Sequence, residues 1–166
     1  MSLWKAKKGN NLTDKVMTNP EVAKHMVDVL REFFRDGESF LEPCMWDGGI
    51  YNFLPEKKDW CEIDRGRDFY DYHGKVDWII TNPPYSDYDK FVEHCMECAD
   101  NIALLIPLAK PFSSLQRIKK MVWYGNIHSL FIFNHGASKA WFPFWFPLSI
   151  YYFKRWYEWE TQIKFI

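Results

Sequence analysis

The chain has 166 residues, enough for one domain with a hydrophobic core and short for two. Its 21 Lys+Arg against 22 Asp+Glu leave a formal net charge of −1, which excludes an overall basic field, so any nucleic-acid contact has to be local. Hydrophobic content of 48% with 19% aromatic is high, yet no uninterrupted apolar run approaches the ~20 residues of a membrane helix, and a soluble protein without a membrane partner is expected.

Residues 1–17 are polar, and Lys5, Lys7 and Lys8 read as part of a flexible basic arm able to touch phosphates. They lack the apolar core of a signal peptide, and the four cysteines read as reduced thiols, so the expected location is cytoplasmic. Asn19-Pro20-Glu21 is a strong helix start: an N-cap, a proline at the first position and an acid in the first turn. Val22, Ala23, Met26, Val27, Leu30, Phe33 and Phe34 continue at helical spacing until Gly37. Residues 39–42 then read as a short strand and 43–49 as the loop that follows it. Glycines there let backbone approach a ligand, and a doubly wound sheet binds ligands at the carboxyl ends of its strands. The next strand is expected over 59–64, with acids at its end.

Residues 76–81 carry a β-branched apolar run, read as a buried strand, which stops abruptly at Asn82-Pro83-Pro84-Tyr85. Two prolines without N–H groups leave carbonyl oxygens that no ladder claims, held in a stiff loop beside an Asn amide and an aromatic ring. That set suits a planar substrate carrying an –NH2 group, whose hydrogens need acceptors while its ring needs a stacking surface.

Beyond Tyr85, a helix is expected over 87–99, a strand over 101–108 and a helix over 112–123, the last with Arg117, Lys119 and Lys120 as a basic side. Cys95 and Cys98 after His94 make a lone C-x-x-C with no further ligands at metal spacing, so helical packing is the reading and no metal is expected. Strands over 128–133 and 148–153, with no crossover helix between them, read as an antiparallel hairpin. Their connection holds Lys139 and the run Trp141-Phe142-Pro143-Phe144-Trp145-Phe146, an aromatic loop that wants a partner surface; Trp156 and Trp159 continue that character as a candidate homodimer contact.

Asn82-Pro83-Pro84-Tyr85 resembles the catalytic motif of S-adenosylmethionine-dependent amino-methyltransferases, above all those that methylate the exocyclic nitrogen of adenine in DNA. Residues 42–49 resemble that family's cofactor motif, with Glu42, Pro43, Cys44 and Gly48 matching and Trp46 standing where the first glycine is usual. The segment around Thr18 resembles the one that closes over the methionine part of the cofactor, and Asp68-Phe69 resembles the pair that holds its adenine. An acid after the second strand takes the ribose hydroxyls in such folds; Glu62 is the first choice and Asp64, two residues on and on the same face of an extended chain, the second.

The resemblance thus implies an α/β, Rossmann-like class I methyltransferase fold in a single domain over 1–166. Its sheet would be mainly parallel, with an antiparallel terminal hairpin, and trimmed on the second-strand side, since 62–82 leaves little room for a further helix and strand. It implies S-adenosylmethionine as cofactor, bound by Thr18, Glu42, Pro43, Cys44, Asp47, Gly48, Glu62, Asp68, Phe69 and Asn82. Catalysis would fall to Asn82, Pro83, Pro84 and Tyr85, and substrate binding to Tyr85, Lys139, Trp141, Phe142 and Trp145. DNA is the expected partner; RNA and a glutamine amide of a release factor are alternative substrates, and a catalytically silent scaffold is an alternative of another class. With Ile166 close behind the last expected strand, no target-recognition region is expected. That implies weak sequence preference and better action on single-stranded or distorted DNA, or else a recognition subunit.

Overall fold

The structure is a computed structural model and describes residues 18–134 and 147–166. The basic arm and the aromatic run with Lys139, Trp141, Phe142 and Trp145 therefore lie outside the described residues.

Helix α1 (Pro20–Leu30) begins where its cap demands: Asn19 Oδ1 accepts from the Glu21 N–H at 2.8 Å, and Pro20 occupies the first turn. Val22, Ala23, Met26, Val27 and Leu30 form its buried stripe. The helix does not run on to Gly37. After a 3-10 turn at Arg31–Phe33 the chain extends at Phe34, whose ring then sits edge-on to Phe40 and Trp78 at 4.9 Å each. Ring packing at the entry to the sheet ends the helix before the hydrophobic spacing does.

Strands β1 (Phe40–Glu42), β2 (Lys58–Trp60), β3 (Val76–Thr81), β4 (Ala99–Pro107), β5 (Ile127–Ile132), β6 (Leu148–Lys154) and β7 (Gln162–Phe165) form one sheet in the order β2-β1-β3-β4-β6-β5-β7. Strands β2, β1, β3 and β4 pair in parallel, while β6 runs antiparallel to both β4 and β5. Helices α2 (Tyr88–Cys98) and α3 (Leu115–Tyr124) cover one face over a core that includes Phe91, Cys95, Met121 and Tyr151, and α1 covers the other over Trp78, Ile80, Leu105 and Ile150. This is the mainly parallel sheet with an antiparallel hairpin that the sequence implies.

The trimming also falls where expected. Only 3-10 turns, at Ile63–Arg65 and Phe69–Asp71, separate β2 from β3, and β2 is the edge strand among the described residues. Strand β2 ends at Trp60 instead of running to residue 64, because Glu62 bridges back to Arg67 and caps the following turn through Asp64 N–H at 3.2 Å. Glu62 is consequently buried and Asp64 exposed, so the two acids do not share a face. Strand β7 was not expected: four residues, with Ile163 59% and Phe165 74% exposed, leave no apolar run to find. Among the described residues no helix is long and apolar enough to cross a membrane.

Candidate active site

From β1 the chain passes to β2 on one side and then to β3 on the other, so the loops leaving β1 and β3 diverge at the carboxyl edge of the sheet. A doubly wound sheet opens its crevice at such a switch point. Here Thr18, Glu42, Cys44, Met45, Trp46, Asp47, Gly49, Ile50 and Asn82 line one small cleft.

Its floor is the loop after β1, folded by its own amides and by β2. Met45 N–H donates to Cys61 O at 3.0 Å, Gly48 N–H to Met45 O at 2.7 Å and Gly49 N–H to Asp47 Oδ1 at 3.2 Å. Trp46 N–H donates to Glu62 Oε2 at 2.8 Å. Glu62 therefore grips the loop from behind while its other oxygen caps the next turn. Trp46 has φ 49°, a left-handed conformation that a glycine adopts freely and a tryptophan does not. The backbone at this position thus has a shape suited to a glycine, with the Glu62 bond holding it there. Gly48, at φ 90°, makes the same demand.

Glu42 sets the electrostatics. It is only 3% exposed, and its Oε2 has no hydrogen-bond partner among the described residues. Burial pushes its carboxyl up to about 9 against the pull of a Tyr51 N–H, and the negative charges of Asp47 and Glu62 push in the same direction as burial. The neighbouring Cys44 thiol is pushed up to about 12, chiefly by burial, and is neutral.

The opposite wall comes from the end of β3. Asn82 Nδ2 donates to Thr18 Oγ1 at 3.2 Å, which joins the segment ahead of α1 to the Asn-Pro-Pro-Tyr loop. Pro83 is buried and Pro84 half-buried. The Tyr85 ring is half-buried against both cores, its Oη donates to Leu105 O at 3.3 Å, and its carbonyl accepts from Lys110 Nζ at 2.8 Å. Lys110 was not singled out in the sequence. It lies in the turn after β4, and the signal available was a lysine between two prolines at a strand's carboxyl end.

Of the residues expected to bind cofactor, Thr18, Glu42, Cys44, Asp47 and Asn82 come together in the cleft, and Glu62 stands behind its floor. Asp68 and Phe69 do not line it. Asp68 Oδ1 accepts from the Tyr70 N–H at 3.0 Å as a turn cap, and the Phe69 ring is 4% exposed, packed on Phe91 at 4.9 Å and His94 at 4.6 Å. His94 Nε2 faces the carbonyls of Phe69 and Tyr72 at 2.9 and 3.0 Å, and Cys95 is wholly buried. On α3, Arg117 makes a two-pronged pair with Asp89 at 2.7 Å per contact and Lys120 pairs with Glu93, so much of the expected basic side is turned to α2; Lys119 is exposed.

No protein-family model matches this sequence, and no curated protein matches it. Solved structures match in shape. A Listeria monocytogenes protein described as a class I S-adenosylmethionine-dependent methyltransferase superposes with a TM-score of 0.64 at 13% identity, over 96% of this chain and 68% of its own. The M protein of the type I restriction enzyme EcoKI gives 0.62 at 11% identity, over 87% of this chain and 45% of its own. A Pyrococcus horikoshii protein described as an RNA methyltransferase gives 0.60 at 12% identity, over 89% and 90%. At these identities the likeness is one of fold, and the fold is that of the class I S-adenosylmethionine-dependent methyltransferases.

Proposed function

We propose that this chain transfers a methyl group from S-adenosylmethionine to the exocyclic amino group of adenine in DNA. The carrying observation is one juxtaposition: an acid-lined cleft at the switch point of the sheet shares Asn82 with the Asn-Pro-Pro-Tyr loop. A cofactor that carries phosphates would meet Asp47 in the cleft and Glu62 behind its floor unfavourably and would hold Glu42 neutral, whereas one that carries positive charge and no phosphate suits all three. The residues also fit on shape, since the loop turns through positive φ at Trp46, which lines the cleft, and a buried carboxyl oxygen there has no partner among the described residues. When bound, S-adenosylmethionine supplies an electrophilic methyl group on a sulfonium.

In this reading Thr18, Glu42, Pro43, Cys44, Asp47, Gly48 and Asn82 hold the cofactor, Glu62 meets its ribose and fixes the loop, and Asp68 with Phe69 frames its adenine from the turn before β3. The Asn82 amide oxygen and the Pro83 carbonyl accept the two hydrogens of the target –NH2 and draw its nitrogen toward a tetrahedral geometry, which frees the lone pair from the ring. Tyr85 offers its ring as a stacking surface, steadied at the hydroxyl by Leu105 and at the carbonyl by Lys110. A paired base cannot reach such a loop, so the target is extruded or already unpaired. The likeness to the EcoKI M protein supports DNA as the substrate, and Lys139, Trp141, Phe142 and Trp145 remain the proposed substrate contacts.

Isothermal titration tests the cofactor half of this reading. The wild type binds S-adenosylmethionine, and Glu62→Ala, which strips two amides of their acceptor, weakens binding by at least about tenfold. No binding heat from the wild type at millimolar ligand would leave the fold as a silent scaffold.

A further inference from the structure

Glu42 is a buried acid with no counter-charge among the described residues. Its Oε2 is unpartnered among the described residues, it lines the cleft, and Thr18 and Asn82 stand across from it. Among the described residues, each charged group that acts on it is negative: Asp47 from the same loop and Glu62 from the turn after β2. The other neighbours are the neutral Cys44 thiol and the backbone N–H of Tyr51. A carboxylate so placed is strongly disfavoured while the cleft holds no cation, and becomes favourable once one arrives. Among the described residues no set of three His, Cys, Asp or Glu side chains is placed to hold a metal ion, and the proposed cofactor itself brings an organic cation.

We infer that Glu42 is the charge switch of the cleft: it keeps its proton in the free protein and releases it to solvent when a cationic group of the cofactor enters, so that each binding event sheds one proton. The inference rests on the proposed cofactor and adds how the site recognises it. The O–H bond of Glu42 breaks, the proton passes to water, and the carboxylate left behind pairs with the ligand's positive centre. S-adenosylmethionine offers two such centres, an ammonium and a sulfonium; S-adenosylhomocysteine keeps only the ammonium. The linkage makes affinity a function of pH. While the free protein holds the proton and the ligand keeps its charge, binding tightens by about tenfold for each unit that pH rises. The gain flattens at about 7.7–8.0 if the partner is the ammonium, which deprotonates there, and as pH reaches about 9, where burial places the carboxyl's own titration, if it is the sulfonium.

The test is isothermal titration of the wild-type protein with S-adenosylmethionine at pH 6.5, in two buffers of different ionisation enthalpy. An α-amino group, at about 7.7–8.0, is already protonated there and contributes little. About one proton released per ligand is expected, with affinity about tenfold tighter at pH 6.5 than at pH 5.5. Glu42→Gln, which keeps the shape and cannot ionise, is expected to release none and to lose the pH slope. S-adenosylhomocysteine locates the partner: equal release identifies the ammonium, and release by S-adenosylmethionine alone identifies the sulfonium. Binding by the wild type with no proton released, or undiminished release by Glu42→Gln, overturns this inference and leaves the proposed cofactor standing. No binding at all removes both.

Discussion

At the residue scale the site is a contest between burial and charge, and Glu42 shows it most plainly. Its carboxyl titrates near 9 in the folded protein against 4.5 in a free chain, chiefly because it is buried. Between those values the folded protein holds a proton that the unfolded chain has given up, so this group opposes folding increasingly as pH rises and is neutral to it below about 4.5. The difference amounts to about 3 kcal/mol at pH 7. Thermal melts of Glu42→Gln against wild type should therefore diverge with pH: nearly coincident near pH 5, with the variant gaining several degrees on wild type by pH 8. A constant gap across that range would show that Glu42 does not titrate as its burial requires. Glu42 and the Asn-Pro-Pro-Tyr loop were legible in the sequence because motif residues sit at fixed spacing. Lys110 was not, because its bond to the Tyr85 carbonyl spans 25 residues and leaves no periodicity to read.

At the element scale, the turns between β2 and β3 decide how the trimmed side of the sheet is closed. The 3-10 turn at Phe69–Asp71 is fastened to α2 by the Phe69 ring, which Phe91 and His94 clasp, and by the two carbonyls that face His94 Nε2. A purely structural role for this ring predicts a loss of about 3–5 kcal/mol in Phe69→Ala, read as a large drop in melting temperature, with most of the stability restored in Phe69→Leu. If Phe69 also frames the cofactor's adenine, Phe69→Leu should bind S-adenosylmethionine more weakly than wild type while melting close to it. Equal affinity in the two would confine the ring to the core. The sequence placed β3 residue for residue, since 76–81 alternates little and stops at prolines. It overran β2 because the bend at Glu62 is made by side-chain capping, and it passed over β7 because that strand pairs along one edge and buries almost nothing.

At the scale of the whole molecule, a net charge of −1 provides no long-range attraction for nucleic acid, and the ion pairs of Arg117 and Lys120 with α2 hold two of the α3 cations in place. What the molecule concentrates is geometry: the loops after β1, β3 and β4 leave the same edge of the sheet, so that the proposed methyl donor, in the crevice between the first two, and the proposed target meet over Asn82. Methyl transfer with and without that amide tests the account most directly. The purified protein is incubated with S-adenosylmethionine bearing a labelled methyl group and a single-stranded DNA, and the digested nucleosides are analysed by mass spectrometry. The account predicts labelled N6-methyldeoxyadenosine from the wild type and at least about 100-fold less from Asn82→Ala, a loss much larger than the weakening of cofactor binding, which is expected to stay under about tenfold in that variant. Undiminished labelling by Asn82→Ala, or no labelled adenine from a wild type that binds the cofactor, would contradict it.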